Sequence, residues 1–147
     1  SSVGGKGNEG VAANVTRVKG AVGYVEYAYV KKNNMTFLQL QNAGGKYVSP
    51  DDTTFAAAAA SADWFSVPGM GISMVNAKGA NSWPVSTASF ILMYKDPADK
   101  AQSAEVLKFF DWAFKNGKGM AADLDYVPLP DSLTAEIRSK VWSQIKK

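Results

Sequence analysis

"AVGYVEYAYV", residues 21–30, is the stretch on which the fold class turns. Valine, tyrosine and alanine fill every position except Gly23 and Glu26, so no wet face alternates with a dry one. A run of this kind predicts a strand covered on both sides, the type that builds α/β sheets. Glu26 inside such a strand needs a cationic or N–H partner, because an unpaired buried carboxylate is costly. A structural ion pair is expected there rather than a general base.

Helix signals bracket this strand. Asn8 is placed to cap a helix reaching about Val18, with Val11, Val15 and Val18 on one face, Glu9 in the first turn and Gly20 as the stop. After the "KKNN" turn, residues 36–40 read as a short strand and "NAGGK", residues 42–46, as a hairpin-like turn. "SPDD" offers Ser49 as N-cap, Pro50 at the first helical position and two acidic residues in the first turn. That helix is expected to run through the alanines at 56–60 and to stop near Asp63 and Trp64.

Residues 67–81 are Gly-rich and read as a long connection, with residues 72–75 as a short strand inside it. Pro84 argues against a central strand at that point, whereas residues 89–94, "SFILMY", read as a second buried strand. Residues 101–115 space Val106, Phe109, Phe110, Ala113 and Phe114 as a helix does, and Asn116–Gly117 supplies the stop. A short helix is expected over residues 120–124. "VPLPDS" breaks the chain before a last helix, capped by Asp131 or Ser132, with Leu133, Ile137, Val141, Trp142 and Ile145 on its apolar face.

The composition, 46% hydrophobic and 20% charged over 147 residues, suits a globular protein able to bury a core. The formal charge of +3 is mild and the lysines form no stripe, so no nucleic-acid partner is expected. No apolar run is long enough to predict a membrane span. The chain opens without an initiator Met or a signal-peptide pattern, and is expected to be a processed or trimmed piece. It contains no His and no Cys. That removes Ser–His–Asp triads, His bases, most zinc sites, thiol nucleophiles and disulfides, so neither a metal nor a cofactor is expected. Absence of Cys is compatible with an oxidising compartment.

Few constellations remain that could carry chemistry. Asp51 and Asp52 are better explained as helix N-terminal charge than as an acid/base pair. Asp123 and Asp125 could ligate a cation, but an EF-hand-type loop needs further oxygens and a terminal Glu where Tyr126, Val127 and Pro128 stand. A surface turn is expected there. Tyr24, Tyr27 and Tyr29 suggest a stacking platform, yet a dry strand accounts for them better. Phe109, Phe110, Trp112 and Phe114 read as core. The hydroxyls of Ser86, Thr87 and Ser89 could bind an oxyanion or merely satisfy the backbone. "GGKGNEG", residues 4–10, has the composition of a phosphate cradle in Gly4, Gly5, Lys6 and Gly7. It lacks the GxxxxGK[ST] order and a preceding strand, so a mobile chain start is expected. No enzyme is predicted.

Taken together, "GGKGNEGVAANV", "GAVGYVEYAYV", "SWPVSTASFILMYKD", "EVLKFFDWAF" and "ADLDYVPLPDSL" resemble, in this order, the substrate-binding proteins of bacterial high-affinity phosphate ABC transporters. The resemblance covers nearly the whole chain and is weakest over residues 61–80. It implies a type II periplasmic-binding-protein fold, in which two α/β lobes joined by hinge strands clamp one phosphate. The chain would then be a fragment covering parts of both lobes. Residues 1–81 would be the later part of the second lobe, and residues 82–147 the hinge return and the C-terminal part of the first.

The implied function is the phosphate-binding component of an uptake transporter. Inorganic phosphate and a membrane permease would be its partners, in the periplasm or, in a Gram-positive source, on a cell-surface lipoprotein. The family's phosphate ligands lie upstream of Ser1, so no ligand-binding, catalytic or metal residue carries over to this chain. Arg17 and Arg138 match no ligand position, and the Gly-rich start falls just downstream of the ligand loop. Two alternatives stand beside this one: a binding protein for another oxyanion or small solute, and a homodimer formed by element exchange without ligand binding.

Overall fold

The computed structural model describes residues 2–146 and divides into two units, with the boundary between Leu38 and Gln39. The first unit is built on helix α1 (Gly7–Arg17) and the short helix α2 (Tyr27–Lys32). Lys6, not Asn8, occupies the N-cap position of α1, and no side chain caps it. Asn8 is used elsewhere: its Oδ1 accepts the backbone N–H of Glu26 at 2.9 Å. Gly23 lies so close to Val11 and Val15 that a Cβ there would sit 2.9 Å from each side chain, which only glycine permits.

The strand expected over residues 21–30 is absent. Residues 21–26 carry no regular structure, Val22 and Tyr24 are exposed, and the chain then turns into α2. The physical reason is that a strand is completed by a neighbour's ladder, whereas a helix closes its own hydrogen bonds. No other strand stands among the described residues of this unit, so the tyrosine-rich half takes the self-sufficient conformation. Glu26 is accordingly exposed before α2 rather than buried in a sheet.

The second unit begins with a hairpin of β1 (Leu40–Gln41) and β2 (Tyr47–Val48), antiparallel, with Leu40 opposite Val48 and Gln41 opposite Tyr47. The turn falls where "NAGGK" predicts it, with Gly45 at φ +80°. The strand expected over residues 36–40 shrinks to this two-residue ladder. Buried Asn42 explains the turn: its Oδ1 accepts from the N–H groups of Gly44 and Lys46, while its Nδ2 donates to the carbonyls of Ala80 and Ser82.

Helix α3 (Asp52–Ser61) is capped two residues later than Ser49, by Asp51. Asp51 Oδ1 takes the Thr54 N–H at 2.9 Å and Thr54 Oγ1 takes the Asp51 N–H at 3.1 Å, a reciprocal box that Ser49 could not form from its position. Small Ala58 and Ala59 let Trp64, Met74, Leu133 and Ile137 close on α3 and form the core of this unit. Trp64 Nε1–H donates to the Ala59 carbonyl at 2.7 Å, so the buried indole leaves no polar group unsatisfied. The core therefore draws on both sides of residue 81.

Residues 72–75 and 89–94 form no strand, and Phe90, Ile91, Leu92 and Tyr94 are exposed. The same lack of a ladder partner applies. Helix α4 (Lys100–Asn116) starts on an Asp99 cap and ends at Gly117, close to its expected bounds, and α5 (Lys118–Asp123) follows at once. Helix α6 (Asp131–Glu136) has Pro130, not Asp131 or Ser132, at its N-cap. It continues as a π-helical turn (Ile137–Val141) and a 3₁₀ turn (Trp142–Gln144). The regular structure among the described residues is thus predominantly helical, with one two-stranded sheet, and none of the helices is long and apolar enough to cross a membrane.

Candidate functional site

Helix α4 and the π-helical turn that follows α6 bring together a charge cluster. Asp111 and Lys115 stand four residues apart on α4, where side chains meet on one face. Asp111 Oδ2 accepts from Lys115 Nζ at 2.5 Å and Oδ1 from Arg138 Nε at 2.6 Å. The Lys115 hydrogen bond, followed by that of Arg138, holds the Asp111 carboxyl below the usual carboxylate range. Arg138 also donates through Nη1 to Thr134 Oγ1 at 3.3 Å. Its guanidinium carbon lies 5.7 Å and 5.8 Å from the ring centroids of Phe114 and Trp142, which stack 5.6 Å apart.

Lys118 reaches Asp131 at 2.5 Å, and these side chains line a cleft of about 350 Å³. A carboxylate held ionised by two cations is a poor proton acceptor near neutrality, so the cluster offers no general base. Its evident work is to pin α4 to the C-terminal helix. A second cavity of about 390 Å³ lies between the end of α3 and α6. There Lys140 pairs with Glu136 and stands 4.3 Å from the centroid of Phe65.

The residues singled out from sequence go to separate places. Asp51 is a helix cap, accepting from Thr53 Oγ1 at 2.6 Å and from the Thr54 N–H. Those bonds, Thr53 foremost, lower its pKa. Asp52 lies exposed in the first turn of α3. Asp123 ends α5 and Asp125 follows in a left-handed turn at φ +63°, closed by Leu124 and Asp125 N–H bonds to Ala121 and Ala122. No group of three or more acidic, His or Cys side chains suited to a metal occurs among the described residues.

The three tyrosines do not form a platform. Tyr24 is exposed, Tyr27 meets Phe37 edge-on at 6.1 Å, and Tyr29 donates its hydroxyl to Glu9 at 2.8 Å. Of the α4 aromatics, Phe114 packs against the core. Phe109 and Trp112 instead stack on the exposed side, at 6.3 Å, contrary to the expectation that they are core. The reason is the turn of the helix: half-buried Phe110 and Phe114 fall four apart on the side that carries buried Ser103, and Phe109 and Trp112 fall on nearly the opposite side. Ser86 Oγ donates to the Trp83 carbonyl, so that hydroxyl satisfies backbone.

The Gly-rich start folds back on α1 instead of standing free. A Cβ at Gly5 would lie 2.6 Å from the Gly10 carbonyl carbon and the Val11 nitrogen, and Asn14 Nδ2 donates to the Gly4 carbonyl. Gly5 serves close packing, whereas a Cβ at Gly4 would meet nothing within 4 Å and Gly7 takes a positive φ of 64°. Arg17 donates to Asn14 Oδ1 at 2.8 Å. The Asp111–Arg138 pair is the feature sequence reasoning missed. The spacings Asp111 to Lys115 and Thr134 to Arg138 hint at each half, but nothing local links the two helices.

No protein-family model matches the chain. It is 49% identical over 143 residues to the phosphate-binding protein PstS of Pasteurella multocida, a match covering 97% of this chain and 42% of that protein. With PstS of Haemophilus influenzae the identity is 45% over 144 residues, covering 98% and 43%. With PstS of Methanocaldococcus jannaschii it is 31% over 157 residues, covering 99% and 40%. The chain thus spans about two fifths of the length of these relatives. Identity of this order is sustained from one end of the sequence to the other: over nearly all of its own residues the chain is similar to proteins named phosphate-binding protein PstS.

Proposed function

We propose that the chain is the C-terminal portion of the phosphate-binding component of an ABC transporter for inorganic phosphate uptake. The observation that carries this is the 45–49% identity to proteins named phosphate-binding protein PstS over nearly all of its residues. On this reading the parent protein has the type II periplasmic-binding-protein fold. Residues 1–81 are the later part of its second lobe, and residues 82–147 the hinge return and the C-terminal part of its first. The protein works in the periplasm or on the cell surface, takes phosphate, presents its closed form to a membrane permease, and catalyses nothing.

Within that scheme this portion supplies scaffold and hinge rather than the phosphate cradle. A cradle needs uncommitted donors that converge on one point. Both arginines are engaged elsewhere, Arg17 with Asn14 and Arg138 with Asp111 and Thr134. The exposed apolar residues at 22–24 and 90–94 accord with surfaces that a longer protein covers.

Thermal shift tests the assignment. A longer PstS-type protein that includes this sequence is expected to gain stability in phosphate, by about 2.7 kcal/mol at a hundredfold excess over Kd. Sulfate at the same concentration is expected to leave its melting temperature unchanged. Equal stabilisation by sulfate, or by another oxyanion alone, would replace the phosphate assignment.

A further inference from the structure

We infer that Asn116 is a site of self-modification, where the side-chain amide converts to aspartate or isoaspartate, and that the last turn of α4 holds the reaction in check. Asn116 is the one asparagine in the sequence that precedes a glycine. Glycine leaves its backbone nitrogen unhindered and gives the chain the freedom to bring that nitrogen onto the preceding side chain. The Gly117 nitrogen then attacks Cγ of Asn116. A C–N bond forms, the bond from Cγ to Nδ2 breaks, and Nδ2 leaves as ammonia with the proton from Gly117. The five-membered imide takes up one water, and nothing is oxidised or reduced. Opening at Cγ gives aspartate in an ordinary backbone; opening at the main-chain carbonyl gives isoaspartate, with the chain routed through the side chain.

The fold both requires this glycine and restrains it. A Cβ at Gly117 would lie 2.6 Å from the Ala113 carbonyl oxygen, so a larger residue would displace the end of α4. Both reacting groups are withheld. Gly117 N–H donates to the Ala113 carbonyl at 2.7 Å, and Asn116 Nδ2 donates to the Trp112 carbonyl at 3.0 Å. The side-chain amide is drawn back along the helix, while the nitrogen it would meet is engaged in the ladder. Attack requires both bonds to break, and helix ends open locally more readily than the whole fold. These bonds lie within α4 and its cap, so they hold whatever else a longer protein packs around the helix. Reaction leaves a carboxylate at a helix C-terminus, where the macrodipole disfavours negative charge, and takes the side-chain donor from the Trp112 carbonyl. Lys115 and Lys118, on either side, are already paired with Asp111 and Asp131.

The inference does not depend on the transport reading, since it rests on α4 alone. The test uses a longer PstS-type protein that includes this sequence, held at mildly alkaline pH. Peptide mapping by mass spectrometry should find the amide-to-acid exchange at Asn116, and isoaspartyl methyltransferase should label part of the product. Unfolding in urea should raise the rate about tenfold or more, because the check by α4 is gone. Ala113→Gly weakens the last turn and should speed the folded protein about fivefold, with the rate in urea unchanged. Asn116→Gln, which would have to close a larger ring, should show no exchange over the same period. No exchange at Asn116 in urea would overturn the site. Equal rates in the folded and unfolded protein, or an Ala113→Gly variant that reacts at the wild-type rate, would overturn the check by α4.

Discussion

Truncation of Leu133 probes whether residues 39–81 and 82–147 share one core. Leu133 is 6% exposed and packs with Ala58, Ala59, Trp64, Met74 and Ile137, so its neighbours come from both stretches. Leu133→Ala removes three carbon groups at about 0.8 kcal/mol each, about 2.4 kcal/mol before any cavity forms. Incomplete collapse of the site brings the expected loss to about 2–5 kcal/mol. Leu92→Ala deletes the same atoms from a side chain that is 94% exposed, and should change the stability of the monomer by less than about 0.5 kcal/mol. Urea unfolding at low protein concentration, followed by tryptophan fluorescence and far-ultraviolet circular dichroism, separates the two. With a urea slope of about 2 kcal/mol/M, Leu133→Ala should lower the midpoint by about 1–2.5 M. Equal midpoints for the two variants, or a larger loss at Leu92, would refute the reasoning.

Two further substitutions test local features. Asp51→Ala removes the cap of α3 and should cost about 1 kcal/mol, whereas Asp51→Asn keeps an acceptor and should cost less, as read by urea midpoint. The Asp51 pKa is lowered in the folded chain, so its contribution is complete above the ordinary carboxylate range and is lost as pH falls through the folded value. The stability gap between wild type and Asp51→Asn should therefore narrow on acidification; a gap that widens would contradict the sign. Tyr29→Phe deletes the main cause of the lowered Glu9 pKa, and carboxyl NMR titration should show Glu9 moving up toward its ordinary value. An unmoved Glu9 would show that another group sets it.

What was legible in the sequence was what is settled locally. Helices α4 and α5 lie close to their expected bounds, because their stop at Asn116 and Gly117 and the spacing of their apolar residues are contained in the segments themselves. The "NAGGK" turn is legible for the same reason: Asn42 and Gly45 close it with their own backbone and side-chain groups. The two long strands that did not form share one cause. Residues 21–30 and 89–94 carry strand composition, but a strand exists only where another chain segment completes its ladder, and composition does not report whether one is present. The charge cluster was half legible. Asp111 and Lys115 are neighbours on one helix, whereas Arg138 joins them only where the turns after α6 meet α4, supported by the Phe114–Trp142 stack. The likeness to phosphate-binding proteins was legible only through long matched segments.

The central claim is that this portion of a PstS-type protein carries scaffold and hinge but not the phosphate cradle. Isothermal titration calorimetry of the 147-residue chain with inorganic phosphate tests it most directly. The account predicts no one-to-one binding in the micromolar range; a saturable one-to-one isotherm at micromolar or tighter affinity would contradict it.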